Sequence, residues 1–367
     1  MRKRTAWPAL LAVTLLGGAS SAAQETTPPP AAGGRPFTEM TPEVRVAIER
    51  GLAWLSKAQS PSGAYGSGSA PIATTAIAGM AFLAGGHLPG RSAYGDNVKR
   101  ALTFILKNAG RSGYINEGQQ RGAGGSGMHG HGYAALFLAE CYGMTGEIPD
   151  FENDTLKEKL IRAIDVISRG QCPNGGWNYD PEPNYDEGSV TVTQVQALRA
   201  ARNAGIKVRM ETITKAVEYI NKSTDSNGQT RYSLTGGGHT SFALTSAGMS
   251  VLNFLGSYDN PKIKKGLESI VRSLPGEGGA NPQMGAWGGW YFYGNYYATL
   301  ACYQAGHPYW QKWWPAISRE LVRTQSPKGC WTNGESASYG EAFGTGLALQ
   351  ILQIPNRYCP IYQRGSD

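Results

Sequence analysis

The chain has 367 residues, with 34 Lys and Arg against 27 Asp and Glu for a formal charge of +7, and it carries 50 glycines. The basic residues are scattered, with no polybasic run and no basic stripe interleaved with aromatics, which excludes nucleic acid as the expected partner. Beyond the N-terminal region about 330 residues remain, enough for one large domain or two ordinary ones, so an internal repeat has to decide between them.

In chain order, Arg2, Lys3 and Arg4 precede the apolar stretch PALLAVTLLGGA, and small residues end at Ala23. This is the pattern of a secretory signal peptide over 1–23, and it predicts a secreted or periplasmic protein. The apolar stretch is shorter than the roughly twenty residues a membrane span requires, and nothing later is as long and uncharged, so no transmembrane segment is expected. Residues 24–36, QETTPPPAAGGRP, read as a Pro/Gly-rich linker, which leaves 37–367 as the folded domain.

Short segments beginning at Arg50, Arg100, Arg162, Lys215, Lys265 and Ser318 share a basic or polar start followed by helical apolar spacing, at intervals of 50, 62, 53, 50 and 53 residues. Each is followed by a second helical stretch rich in Ala, Gly, Ser and Thr and poor in charge, such as ATTAIAGMAFLAGG and HGYAALFLAECYGM. Charged first helices belong outside. Small-residue second helices belong inside, where they pack closely. Thr41 before Pro42, and Asn260 before Pro261, are helix start signals that support the division. Six hairpins, about twelve helices, bury their inner faces by closing into a ring, so the predicted fold is all-α, an (α/α)6 toroid.

QSPSGAY from Gln59, QCPNGGW from Gln171 and QSPKGCW from Gln325 recur just after outer helices. Gly permits the chain reversal needed there, and Gln can bond exposed groups of a neighbouring helix end. A motif repeated round one ring reads as a structural stitch rather than as chemistry. The five cysteines leave at least one thiol unpaired. Cys141 and Cys302 sit in apolar runs as small core residues, and Cys330 with Cys359 is a candidate pair that spacing alone does not establish.

The basic start, the aromatic–aliphatic pair Trp54-Leu55, the Gln and the Gly-x-Trp ending resemble the QW repeats of the squalene cyclase and protein prenyltransferase superfamily over nearly all of residues 42–354. The resemblance implies an α/α toroid. The family's Asp-x-Asp-Asp acid is missing, as are the Asp-x-Cys of the zinc prenyltransferases and the Gly-Cys-Gly-Glu-Gln of thioester toroids. The nearest acidic stretch is YDPEPNYDEGS, with Asp180, Asp186 and Glu187.

Inner helices that all point the same way gather their N-termini at one mouth. By register that mouth receives Thr75, His131, Asp186, Glu187, Ser189, His239, Tyr296 and Glu341. His131 and His239 are expected at equivalent places in copies two and four with Asp186 and Glu187 between them. This set suits acid–base work, a metal with His129 as third nitrogen, or simple helix capping. WGGWYFYGNYY, residues 287–297, has seven aromatic rings in eleven positions, and Trp290, Tyr293 and Tyr296 are candidates to line a ligand, whether by stabilising a carbocation or by stacking on sugars. Glu341 completes the ligand-binding candidates, opposite Asp186 as a second carboxyl.

Three functions remain in order: an exported ligand-binding or scaffold toroid without the cyclase reaction; a divergent terpene cyclase or transferase; a polysaccharide lyase or glycoside hydrolase. The expected partner is an apolar, isoprenoid or carbohydrate ligand. No cofactor and no committed metal site is expected, and protein partners are not read from the sequence.

Overall fold

The structure is a computed structural model that describes residues 40–66, 70–116, 127–148, 155–254, 260–275, 290–333 and 338–363. The expected signal peptide and linker lie outside the described residues. Among the described residues there are twelve α-helices and no strand, only isolated β-bridges. The helices are α1 Pro42–Ala58, α2 Pro71–Ala84, α3 Gly95–Lys107, α4 Gly127–Thr145, α5 Leu156–Arg169, α6 Gly188–Asn203, α7 Met210–Ser223, α8 Phe242–Phe254, α9 Pro261–Arg272, α10 Tyr291–Ala305, α11 Tyr309–Thr324 and α12 Glu341–Gln353.

The even-numbered helices form the inner ring. α2 packs on α4, α4 on α6, α6 on α8, α8 on α10, α10 on α12, and α12 returns to α2. Each odd-numbered helix lies outside against its inner neighbours, with α1 packed on both α2 and α12 where the ring closes. The chain is an α/α toroid, as the repeat predicts. Composition explains the layers: in α9 only Ile263, Gly266, Leu267 and Ile270 are buried, a single stripe, whereas α2 is buried from Ile72 to Ala84.

The inner helices are parallel, and buried amides join them. Gln350 and Gln353 donate to Ile77 O and Ala81 O, Gln194 to Met128 O, and Asn253 to Ala301 O. Partners advance together along both helices, which fixes the common direction. Helix starts agree with their sequence signals, since Thr41 accepts from Val44 N and Asn260 from Lys262 N.

The repeated Gln motif is a stitch. Gln171 Nε2 donates to Gly175 O in its own turn at 3.0 Å and to Thr212 O in α7 at 2.9 Å. Gln59 does the same toward Gly63 and Asn97, and Gln325 toward Gly329 and Ala47. Each therefore binds one hairpin's turn to the next outer helix. The turn glycine presses on that helix at the basic start seen in the sequence: a Cβ on Gly175 (φ +96°) would sit 2.1 Å from Lys215 O, and one on Gly329 (φ +97°) 2.7 Å from Arg50 O. Arg50 returns the contact by donating to Ser326 O and Pro327 O.

The C-terminal segment departs from the repeat. After α12 come two short 3-10 turns, Ile354–Asn356 and Pro360–Tyr362. Asn356 donates to Ala84 O at the end of α2, Ile361 N to Glu140 in α4, Arg199 of α6 to Gln363 O, and Tyr362 OH to Gln350 in α12. The segment thus bonds to four inner helices at the end of the ring opposite the mouth.

Candidate functional site

The mouth is assembled from the starts of the inner helices and the loops that precede them. At five of them one bond recurs. The residue ending the stitch donates its backbone N–H to a side chain in the first turn of the inner helix: Tyr65 to Thr75, Trp177 to Thr191, Thr230 to Thr245 and Trp331 to Thr345. In the second hairpin the acceptor is His131 Nδ1, which receives Ile115 N at 3.1 Å. The other ring nitrogen, Nε2, bonds Ala163 O at 3.0 Å. With its N–H on Nε2, the neutral ring satisfies both groups, and burial holds its pKa down to about 4. The place equivalent to His131 in the fourth hairpin is Thr245. His239 lies instead on an exposed loop, stacked on Tyr232 at 5.8 Å between ring centroids.

Asp186 is only 2% exposed. Its carboxylate accepts from Asn174, Tyr219 OH, Leu234 N, Thr235 N and the Thr235 hydroxyl. Burial pushes its pKa up, but the donors outweigh burial and hold it at about 2. The group thus stays ionised and clamps the third stitch to the loop after α7. Glu187 is the N-cap of α6, accepting from Val190 N at 2.7 Å, and burial raises its pKa against the hydrogen bonds of Ser189 and Val190.

Beside this cap lies the half-buried part of the mouth. Ser189 Oγ donates to the Glu187 carboxylate, at 2.7 and 2.9 Å from its two oxygens, and lies 3.0 Å from His129 Nε2. Because the Ser189 proton goes to Glu187, His129 acts there as the donor. Burial lowers the His129 pKa to about 4, so the ring is neutral at pH 7. Tyr293 OH reaches across from α10 to Ser189 O at 3.4 Å.

Aromatic rings extend the cluster into an arc. Tyr185 meets Tyr179 at 6.4 Å and Tyr179 meets His129 at 6.0 Å, while on the other side Tyr293 meets Trp290 and Trp290 meets Tyr339, each at 6.3 Å. Tyr179 and Tyr232 share a short phenol–phenol hydrogen bond. One ring on each side of the arc faces solvent, Tyr185 at 47% and Trp290 at 50% exposure. Glu341, the first residue of α12, is also exposed at this end.

Tyr296 belongs deeper, in the ring's interior. Gln196 donates to Tyr296 OH, Tyr297 OH donates to Gln196, and Tyr133, Tyr296, Tyr297 and Tyr362 are each at most 6% exposed. Phenol side chains from α4, α10 and the last 3-10 turn are therefore buried in the ring's interior. Among the described residues no group of three His, Cys, Asp or Glu side chains gathers to hold a metal, and His129, His131 and His239 have separate surroundings.

The sequence reading set Glu187 and Ser189 at the mouth with His131 and His239 and offered His129 as a third nitrogen for a metal; in the structure Ser189 Oγ joins Glu187 to His129, while His131 and His239 lie elsewhere. It did not single out Tyr179, Tyr185, Tyr232 or Tyr339. A signal existed for two of them, since Tyr179 and Tyr185 both lie in the acidic stretch YDPEPNYDEGS. Tyr232 and Tyr339 come from other loops, whose convergence depends on ring closure.

No family model matches the sequence, and no curated protein matches it. Solved structures do match in fold. The apo type II terpene cyclase MstE from Scytonema aligns with TM-score 0.59 and 13% identity over 86% of this chain and 99% of that one. A variant of the same enzyme in complex with geranylgeranyl dihydroxybenzoate gives 0.58 and 14%, over 87% and 98%. A glycosidase variant in complex with glucose gives 0.53 and 13%, over 84% and 96%. The chain thus has the α/α-toroid architecture of terpene cyclases and of glycosidases, at identities that establish fold alone.

Proposed function

We propose that this chain is an exported ligand-binding toroid that does not run the cyclase reaction, and that its mouth takes a carbohydrate. The observation that carries the reading is the aromatic arc. Tyr185 and Trp290 present half-exposed rings on its two sides, and Ser189, His129 and Tyr232 supply hydroxyl and imidazole groups between them. Flat rings offer apolar faces to the C–H surface of a sugar, while hydroxyl and imidazole groups meet its OH groups. Neighbouring toroids of known structure include one with bound glucose, which makes the class compatible with the architecture.

The cyclase alternative needs a proton donor and an apolar chamber. Asp186 is held ionised by its donors, Glu187 is 1% exposed with its carboxylate engaged at the helix cap, and tyrosines are buried in the ring's interior. Sugar cleavage needs two carboxyls facing one groove. Asp186 faces inward onto its clamp and Glu341 stands at the exposed start of α12, which favours binding over hydrolysis.

The test is titration of the full chain with neutral oligosaccharides of several linkages, read by tryptophan fluorescence and calorimetry. Binding to at least one linkage is expected, weakened about tenfold by Trp290→Ala or Tyr185→Ala, the worth of one stacked ring. Absence of binding across the set, or binding indifferent to both substitutions, contradicts the proposal.

A further inference from the structure

The C-terminal segment is held in the ring by single hydrogen bonds to several helices, and it brings a cysteine with it. Cys359 opens the last 3-10 turn, two residues before Ile361, whose N–H donates to Glu140 at 3.3 Å. Cys141 follows Glu140 on α4. Both cysteines have no exposed surface, and the turn packs against α4 and α6. Burial raises both thiols and Glu140 raises both further, while the Ile361–Glu140 bond sets the Cys359 turn against the α4 residue that immediately precedes Cys141. Of the other cysteines, Cys172 donates to Tyr185 O, Cys330 pairs with Ser326, and Cys302 is buried within α10. All five are thiols in this structure.

We infer that Cys141 and Cys359 are the partners of a disulfide that locks the C-terminal segment across the lumen. The bond requires Cα atoms about 4.4–6.8 Å apart. A segment tethered at one end can adjust to that more readily than two packed helices. The oxidant is a small disulfide such as oxidised glutathione. With the segment undocked, Cys359 thiolate attacks one glutathione sulfur and releases a glutathione thiolate. Cys141 thiolate then attacks the Cys359 sulfur of the mixed disulfide and expels the second glutathione. The two protein thiols lose two electrons and two protons, and one glutathione disulfide becomes two glutathione thiols. Because both thiols are buried and protonated when docked, the bond forms during folding or transient release and then prevents release.

The experiment is refolding of the full chain with and without a glutathione redox couple, followed by alkylation under denaturing conditions, peptide mapping and thermal melts. The expected result is three alkylated cysteines instead of five, one crosslinked peptide pair joining Cys141 to Cys359, and a melting temperature that falls by roughly 5 °C on reduction. The reduction-dependent fall is lost in Cys359→Ser and in Cys141→Ala, either of which serves if the other does not fold. Five alkylated thiols, a bond between other cysteines, or a melting temperature indifferent to reduction of a mapped 141–359 bond each overturns the inference.

Discussion

At the scale of single residues, charge state and burial decide what the polar groups near the mouth do. His131 replaces a threonine that four other hairpins use for the same backbone bond. His131→Ala leaves Ile115 N without its acceptor and a void where the ring was, at a cost of about 2–4 kcal/mol. His131→Thr restores the acceptor and should recover part of that loss in urea melts. The pH dependence has a definite sign. The folded pKa of His131 is depressed to about 4 from 6.5, so its contribution is present above pH 6.5 and is lost as pH falls toward 4, on the order of 3 kcal/mol in all.

Glu140 works in the opposite direction. Burial raises its pKa to about 8, although Ile361 N and the nearby Arg199 oppose this, so its contribution is present below about pH 4.5 and is lost as pH rises through 8. Glu140→Gln should flatten the alkaline side of the stability profile. An unchanged slope between pH 6 and 8 in that variant would show that Glu140 is not the group responsible.

At the scale of elements, the stitch makes a sharper prediction than a general statement about glycine. Gly175 and Gly205 both have positive φ, +96° and +81°, but a Cβ on Gly205 meets nothing within 4 Å whereas one on Gly175 meets Lys215 O. Gly205→Ala should cost about 1 kcal/mol from backbone strain alone. Gly175→Ala must also push α7 away and should cost at least twice as much, measured by denaturant midpoints. Equal costs would mean that the turn does not bear on the next helix. Gln171→Ala loses two bonds at the same joint, for about 1–3 kcal/mol.

These elements were legible in the sequence for a physical reason. Period-3.6 apolar spacing, N-cap residues such as Thr41 and Asn260, and the Gln-x-x-x-Gly turns are local signals, and local signals survive in a single chain. The function of His131 was not legible, because recognising it as a threonine substitute requires knowing which N–H each inner helix receives. The same holds for the arc. Tyr185, Tyr232, Trp290 and Tyr339 come from four different loops, and only closure of the ring brings their surroundings together. The C-terminal segment escaped notice because it falls outside the repeat altogether.

At the scale of the whole molecule, the C-terminal segment bonds four inner helices at one end of the toroid, and Tyr133, Tyr296, Tyr297 and Tyr362 are buried in its interior. Inner helices are joined by buried glutamines and closed by α12 onto α2, and the proposed carbohydrate site sits at the rim. MstE shares the ring at 14% identity, while this sequence carries no Asp-x-Asp-Asp and buries those four tyrosines in the interior.

The most direct measurement is native mass spectrometry of the full chain, incubated in parallel with an isoprenoid alcohol and with the tightest-binding oligosaccharide, for wild type and for Trp290→Ala. The account predicts a stoichiometric oligosaccharide complex that is weakened by the substitution, and no retained isoprenoid. A retained isoprenoid that survives in Trp290→Ala would place the ligand in the lumen and contradict the binding rim.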